Sequence, residues 1–131
     1  MKLFWTVVLI IIFLGRRIPD RPDHLQIIGQ RWDVKYVRVV IDEESGLPLD
    51  GITLCEEHEI WISTDQKPRE IADTLLHEEL HAQTCVDGEI HNDWYNNSAH
   101  AEHPGIEFSA QRMLDFVQQN PEAVRWIEAQ R

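Results

Sequence analysis

The sequence has few cysteines, few basic residues and no apolar run as long as a membrane-spanning helix. Only two cysteines occur in 131 residues, which excludes a disulfide-rich secreted scaffold, and a reducing compartment fits at least as well as an oxidising one. Twelve Lys and Arg stand against 23 Asp and Glu, for a formal net charge of −11. Because so acidic a chain cannot neutralise phosphates, we predict that it has no nucleic-acid partner.

The longest apolar run, LFWTVVLIIIFL, occupies residues 3–14. As a helix these residues would span about 18 Å, against roughly 30 Å of hydrocarbon in a bilayer. Arg16 and Arg17 stand where a signal peptide would be cleaved, and no small-x-small cleavage motif is present. We predict a membrane-associating anchor with the domain on the cytoplasmic side. The alternatives are an element packed on the domain and a start codon assigned upstream of the true one.

We predict two regions: an N-terminal segment and linker at residues 1–23, and one α+β domain at residues 24–131. The domain opens with β-rich sequence that turns at Gly29–Gln30. A second hairpin is predicted from residues 52–55 and 59–63. Its second segment, EIWIS, has the pattern of an edge strand that could pair with an extended peptide.

Three helices are predicted after the hairpins. The first has Thr64 or Asp65 as its cap and Pro68 in its first turn, and it ends at Asp87–Gly88. The second begins at Pro104, and residues 121–130 form the third. Apolar residues recur along one side of the second helix, namely Ile106, Ala110, Met113, Leu114 and Val117.

The first predicted helix contains the strongest functional motif, TLLHEELHA at residues 74–82. His77 and His81 are four residues apart, so both imidazoles can reach one metal ion from the same helix face. Glu78 is rotated by about 100° from His77, where a carboxylate can act on a metal-bound water without binding the metal. This pattern predicts a catalytic zinc site with Glu78 as general base. The alternative is the polar face of an ordinary amphipathic helix.

A hydrolytic zinc ion needs a third protein ligand and one open position. Asp87 has the metzincin spacing, but Thr84 stands where that pattern requires the glycine at which the helix turns. We choose His103 as the third ligand, with Glu107 as the alternative, because both lie in the first turns of the second helix on the side that continues to Ala110. The remaining candidates are His91, His100 and Glu102.

Two cysteines and two aromatic residues are of further interest. Cys85 follows His81 by four residues and could line or bind the metal, although a small buried apolar residue is the simpler interpretation, and Cys55 is assigned to the core. Trp94 and Tyr95 could stabilise an oxyanion or shape a substrate cleft, or form an aromatic lid over the core.

The motif and its surroundings resemble the small zincin metallopeptidases of bacteria and their phages, of which the ImmA/IrrE-type and SprT-like groups are the nearest. GITLCEEHEIWIST at residues 51–64 resembles the hairpin before the active-site helix of such proteins. EHPGIEFSAQRM at residues 102–113 is similar to the SprT-like segment whose histidine is the third ligand, which implies His103. A shift of one residue would instead imply Glu107, as in gluzincins.

The resemblance implies a minimal zincin-like fold in which a small antiparallel sheet packs on the motif helix and a second ligand-bearing helix. We therefore expect a zinc-dependent metallopeptidase that cleaves peptide or protein substrates, located in the cytoplasm and tethered through residues 3–14. Two alternatives remain: a non-catalytic zinc-binding or partner-binding domain, and a zinc amidase that acts on cell-wall peptide.

Overall fold

The computed structural model describes residues 19–90 and 102–131 of the chain, and the side chains of residues 19–87 and 110–131. The described part is an α+β domain in which strands precede helices. The strands are β1 (His24–Ile27), β2 (Gln30–Val37), β3 (Val40–Ile41), β4 (Pro48–Leu49), β5 (Gly51–Leu54) and β6 (Glu59–Ser63). The helices are α1 (Pro68–Ile90), α2 (Glu102–Gln119) and α3 (Pro121–Ala129).

The first hairpin joins β1 to β2 through Ile28 and Gly29, one residue earlier than predicted. Both turn residues have positive φ, 52° and 72°, which is the backbone geometry that lets a two-residue turn match the twist of the strands. Trp32 and Val34 are buried while Asp33 between them is exposed. This alternation confirms the predicted strand and gives the sheet an apolar face.

The main sheet is mixed, so the prediction of an antiparallel sheet is wrong in part. Its order is β1-β2-β6-β5. β1–β2 and β5–β6 are antiparallel hairpins, but β2 and β6 at the centre run parallel. Between β2 and β5 the chain forms the short β3–β4 pair. After this pair, β5 forms the edge of the sheet and β6 pairs with β2. Local sequence patterns do not reveal the pairing of β2 with β6.

The prediction that residues 59–63 form an edge strand is also wrong. This strand, β6, pairs with β2 on one side and β5 on the other. In the described sheet β5 is the edge strand on this side. The free backbone edge that could accept a peptide strand therefore belongs to Gly51–Leu54.

Helix α1 packs on the sheet through a stripe of buried apolar residues. Leu75, Ala82 and Val86 have no exposed surface, and Ile71 is 8% exposed. Their spacing of four and seven residues is that of one helix face. The helix runs to Ile90 instead of ending at Asp87–Gly88, because a single glycine costs a helix about 1 kcal/mol and packing elsewhere offsets this.

The break between α2 and α3 is held against the opposite edge of the sheet by Asn120. Its side-chain oxygen accepts from the backbone N–H of Gln26 at 2.7 Å, and its amide nitrogen donates to the carbonyl of Gln26, also at 2.7 Å. The amide thus takes the place of a neighbouring strand along β1. Trp126 and Ile127 of α3 are buried.

In the part of the chain described, no helix is long and apolar enough to cross a membrane. The predicted anchor at residues 3–14 lies outside that part.

Candidate metal site

His77 and His81 lie next to each other on the exposed face of α1. Their Nε2 atoms are 3.1 Å apart, and the rings meet edge to face with centroids 4.8 Å apart. Both side chains are exposed, because this face points away from the buried stripe that holds the helix on the sheet. The spacing of four residues therefore brings the two imidazoles together, as the sequence predicted.

The distance between the two nitrogens suits shared coordination of one ion. Two ligands at about 2.0–2.1 Å from a tetrahedral zinc ion are about 3.3 Å apart, and the imidazole nitrogens need a shift of only a few tenths of an ångström to reach it. Imidazole nitrogen is among the commonest zinc ligands in proteins. The pair therefore fits two of the ligand positions of a zinc site.

Glu78 is turned from the two histidines toward the edge strand. It is 7% exposed, and its Oε2 atom accepts a hydrogen bond from the Thr53 hydroxyl of β5 at 2.6 Å. The carboxylate thus lies beside the histidine face, between the helix and the sheet edge. Glu78 is therefore held by the sheet edge and not by the two histidines.

Asp87 does not take part in this arrangement. It is 4% exposed, and its Oδ1 atom lies 3.2 Å from Nε of Arg112 on α2. Because α1 continues past it without a break, Asp87 is rotated by about 280° from His77. The ion pair joins α1 to α2.

The side chains of the other proposed ligands lie outside the described part of the chain. Helix α2 begins at Glu102, two residues before the predicted start, so its backbone includes His103 and Glu107, but the side chains of residues 102–109 are outside the described ones. His91, His100, Trp94 and Tyr95 lie outside the described residues altogether. Within the described part no group of three potential metal ligands occurs.

The described half of α2 presents a different face to the protein than its apolar pattern indicated. Phe116 is 4% exposed, whereas Leu114 is 51% and Val117 45% exposed. Arg112 and Phe116, four residues apart, form the inner side. The apolar side predicted through Ala110, Met113, Leu114 and Val117 is exposed to solvent here, because burial of one aromatic ring and one ion pair determines the rotation of the helix.

The two cysteines form a disulfide, which corrects both predictions made for them. Cys55, in the turn after β5, is bonded to Cys85 on α1, with a Cα–Cα distance of 5.6 Å. Cys55 is exposed rather than part of the core. Cys85 is not a thiol ligand, and it links the helix to the edge of the sheet one turn after His81.

The neighbouring glutamate, Glu79, has a different role from Glu78. It has no exposed surface, and Oε1 accepts from Nε2 of Gln83 at 2.5 Å. It is rotated by about 100° from Glu78 and 200° from His77, toward the interior. Burial raises the pKa of Glu79 to about 7, partly offset by the hydrogen bond from Gln83. The buried site therefore favours the neutral carboxyl over the carboxylate.

We expect Glu79 to make the zinc-free protein less stable as the pH rises. Its pKa in the folded state, about 7, lies above the ordinary value of 4.5, so its contribution is complete below pH 4.5 and is lost as the pH rises through 7. The loss amounts to about 3 kcal/mol. Glu79→Gln should remove this dependence, as measured by urea unfolding in chelator at pH 5, 6, 7 and 8. If the free energy of unfolding changed with pH in the same way for the wild type and for Glu79→Gln, the prediction would be contradicted.

The sequence pattern identified His77, Glu78 and His81 but missed Thr53 and the Cys55–Cys85 link. The alternation of Gly51, Thr53 and Cys55 along the strand was a usable signal, since alternate residues share one face, but the sequence does not reveal which face meets α1. Comparison with protein-family models, with curated proteins and with solved structures found no match to the chain.

Proposed function

We propose that the protein is a zinc-dependent metallopeptidase. The observation that carries this proposal is the 3.1 Å separation of the His77 and His81 Nε2 atoms on one exposed helix face, with the Glu78 carboxylate beside them. Glu78 favours a catalytic zinc site over a purely structural one, since a structural site does not need a base at this position. His103 is proposed as third ligand and Glu107 as its alternative.

Zinc held by the two imidazoles would lower the pKa of a bound water and polarise the carbonyl of a peptide bond. Glu78 would take the proton of the attacking water and then transfer it to the departing amine nitrogen. Its burial beside the edge strand restricts the carboxylate to the side of the helix next to the histidines. The same residue thus acts first as base and then as acid.

The free edge of β5 supports a peptide as the substrate class. β5 is the outermost strand of the described sheet on this side, and its unpaired backbone groups can bind an extended chain as an added strand. Thr53 in this strand contacts Glu78, so a chain added along β5 would lie next to the catalytic residues. An extended substrate would then be positioned by backbone hydrogen bonds.

The proposal is tested by metal binding and hydrolysis together. We expect chelator-treated protein to bind Zn²⁺ at about one ion per chain in calorimetric titration, and His81→Ala to weaken binding at least about a hundredfold. The control is His24→Ala, which removes an exposed histidine paired with Asp23 on β1. Fluorescently labelled casein should be cleaved by the wild type, with cleavage stopped by phenanthroline and restored by zinc.

Each outcome has a separate meaning. Equal zinc affinity in His81→Ala and His24→Ala would overturn the metal site itself. Zinc binding without cleavage of casein or of a random peptide library would overturn the peptidase and favour a non-catalytic zinc domain.

A further inference from the structure

Strand β5 faces α1 with alternate residues, and each makes a different contact. Gly51 lies against Thr74 and Glu78, Thr53 bonds to Glu78, and Cys55 at the end of the strand is bonded to Cys85. Alternate residues of a strand point to the same side. The three contacts therefore fix the strand along the helix from one turn before the histidines to one turn after them.

The contact at Gly51 brings the strand unusually close to the helix. A Cβ atom at this position would lie 2.8 Å from Cγ2 of Thr74 and 2.9 Å from Cγ of Glu78, which real side chains do not tolerate. Only glycine allows this approach. The approach in turn lets the short side chain of Thr53 reach the carboxylate of Glu78.

The Thr53 hydroxyl makes a side-chain hydrogen bond to the Glu78 carboxylate. The hydroxyl oxygen lies 2.6 Å from Oε2 and 3.0 Å from the carbonyl oxygen of the same residue. Because a hydroxyl has a single proton, it donates to one acceptor at a time, and an ionised oxygen is the stronger acceptor. Oε2 is thereby held by the strand, and Oε1 is left for the water.

We propose that Thr53 is a positioning residue for the general base Glu78. The proposal rests on the peptidase function and deepens it. By holding Oε2, the hydroxyl fixes the plane of the carboxylate, so that Oε1 is directed toward the water whose proton it accepts. Strand β5, which would bind the substrate, thus also orients the base. The backbone of β5 would align the substrate with Glu78.

The first test measures the contact without metal or turnover. In chelator-treated protein, we expect Thr53→Val to reduce the folding equilibrium constant about tenfold in the wild-type background. In the Glu78→Ala background the reduction should be several-fold smaller, because the hydroxyl then keeps only the backbone carbonyl oxygen of residue 78 as its acceptor. Thr53→Ser should remain close to the wild type. The control is Thr74→Val, which removes a hydroxyl bonded to Gln66 rather than to Glu78 and should have the same effect in both backgrounds.

The second test measures the consequence for catalysis. With zinc bound at equal stoichiometry, Thr53→Val should lower kcat at least about tenfold on labelled casein with KM unchanged. Thr53→Ser should recover most of the rate, and Thr74→Val should not lower it.

The outcomes separate the two proposals. Independent effects of Thr53→Val and Glu78→Ala on unfolding would overturn the contact, and coupled unfolding with an unchanged kcat would overturn the positioning role. Coupling in a wild-type protein that binds zinc but cleaves nothing would overturn the peptidase and the positioning role together, while the contact itself would stand.

Discussion

Glu78→Gln is expected to retain zinc and to lose hydrolysis by about two to four orders of magnitude. Gln has nearly the same volume as Glu, and its side-chain oxygen can still accept the Thr53 hydroxyl, so the 7% exposed site should keep its packing. The amide cannot take a proton from water at neutral pH. The measurement is the rate of labelled-casein cleavage at matched zinc content.

The neighbouring glutamate provides a matched control for this substitution. Glu79→Gln makes the same chemical change one residue further along α1, on a side chain that faces the interior. It should alter the pH dependence of unfolding and leave the rate of hydrolysis unchanged, whereas Glu78→Gln should lower the rate of hydrolysis. A wild-type rate in Glu78→Gln, or equal losses in both variants, would contradict the assignment of Glu78 as the base.

Removal of the disulfide is expected to destabilise the domain by about 3–4 kcal/mol. Cys55 and Cys85 are 30 residues apart in sequence, and a bond that closes a loop of this length restricts the unfolded chain by about that amount. The measurement is urea unfolding of the oxidised wild type, of the wild type in reductant and of the Cys55→Ser/Cys85→Ser variant. The last two should coincide.

The double variant is its own control, since reductant should not change its unfolding midpoint. Identical midpoints for oxidised and reduced wild type would contradict the prediction. The result also bears on location: stable disulfides are typical of oxidising compartments. If the domain is cytoplasmic, as the sequence analysis predicted, it has to fold and act with this link reduced.

The sequence predicted the parts of the fold that local patterns determine. The β5–β6 hairpin, the start of α1 at Pro68 and the break at Asn120–Pro121 each follow from turn residues, caps and periodicity within a few positions. The parallel pairing of β2 with β6, the edge position of β5 and the Cys55–Cys85 bond join segments far apart in sequence. Such contacts depend on which of several pairings buries the most apolar surface, and a single sequence does not show this.

The same division holds for the candidate site. His77, Glu78 and His81 lie on one helix, so the spacing alone predicts their relative positions. Thr53 comes from a strand 25 residues earlier than Glu78, and its role depends on strand register and on the close approach at Gly51. A third ligand from α2 would likewise depend on how two distant helices pack, which the spacing of His103 and Glu107 does not determine.

The Asn120 amide has a consequence for how the protein meets other chains. It bonds to backbone groups of β1 that could otherwise pair with a strand of another chain. The two edges of the main sheet therefore differ in how readily they can accept an added strand. In the described sheet, a chain that adds a strand would therefore do so along β5 more readily than along β1.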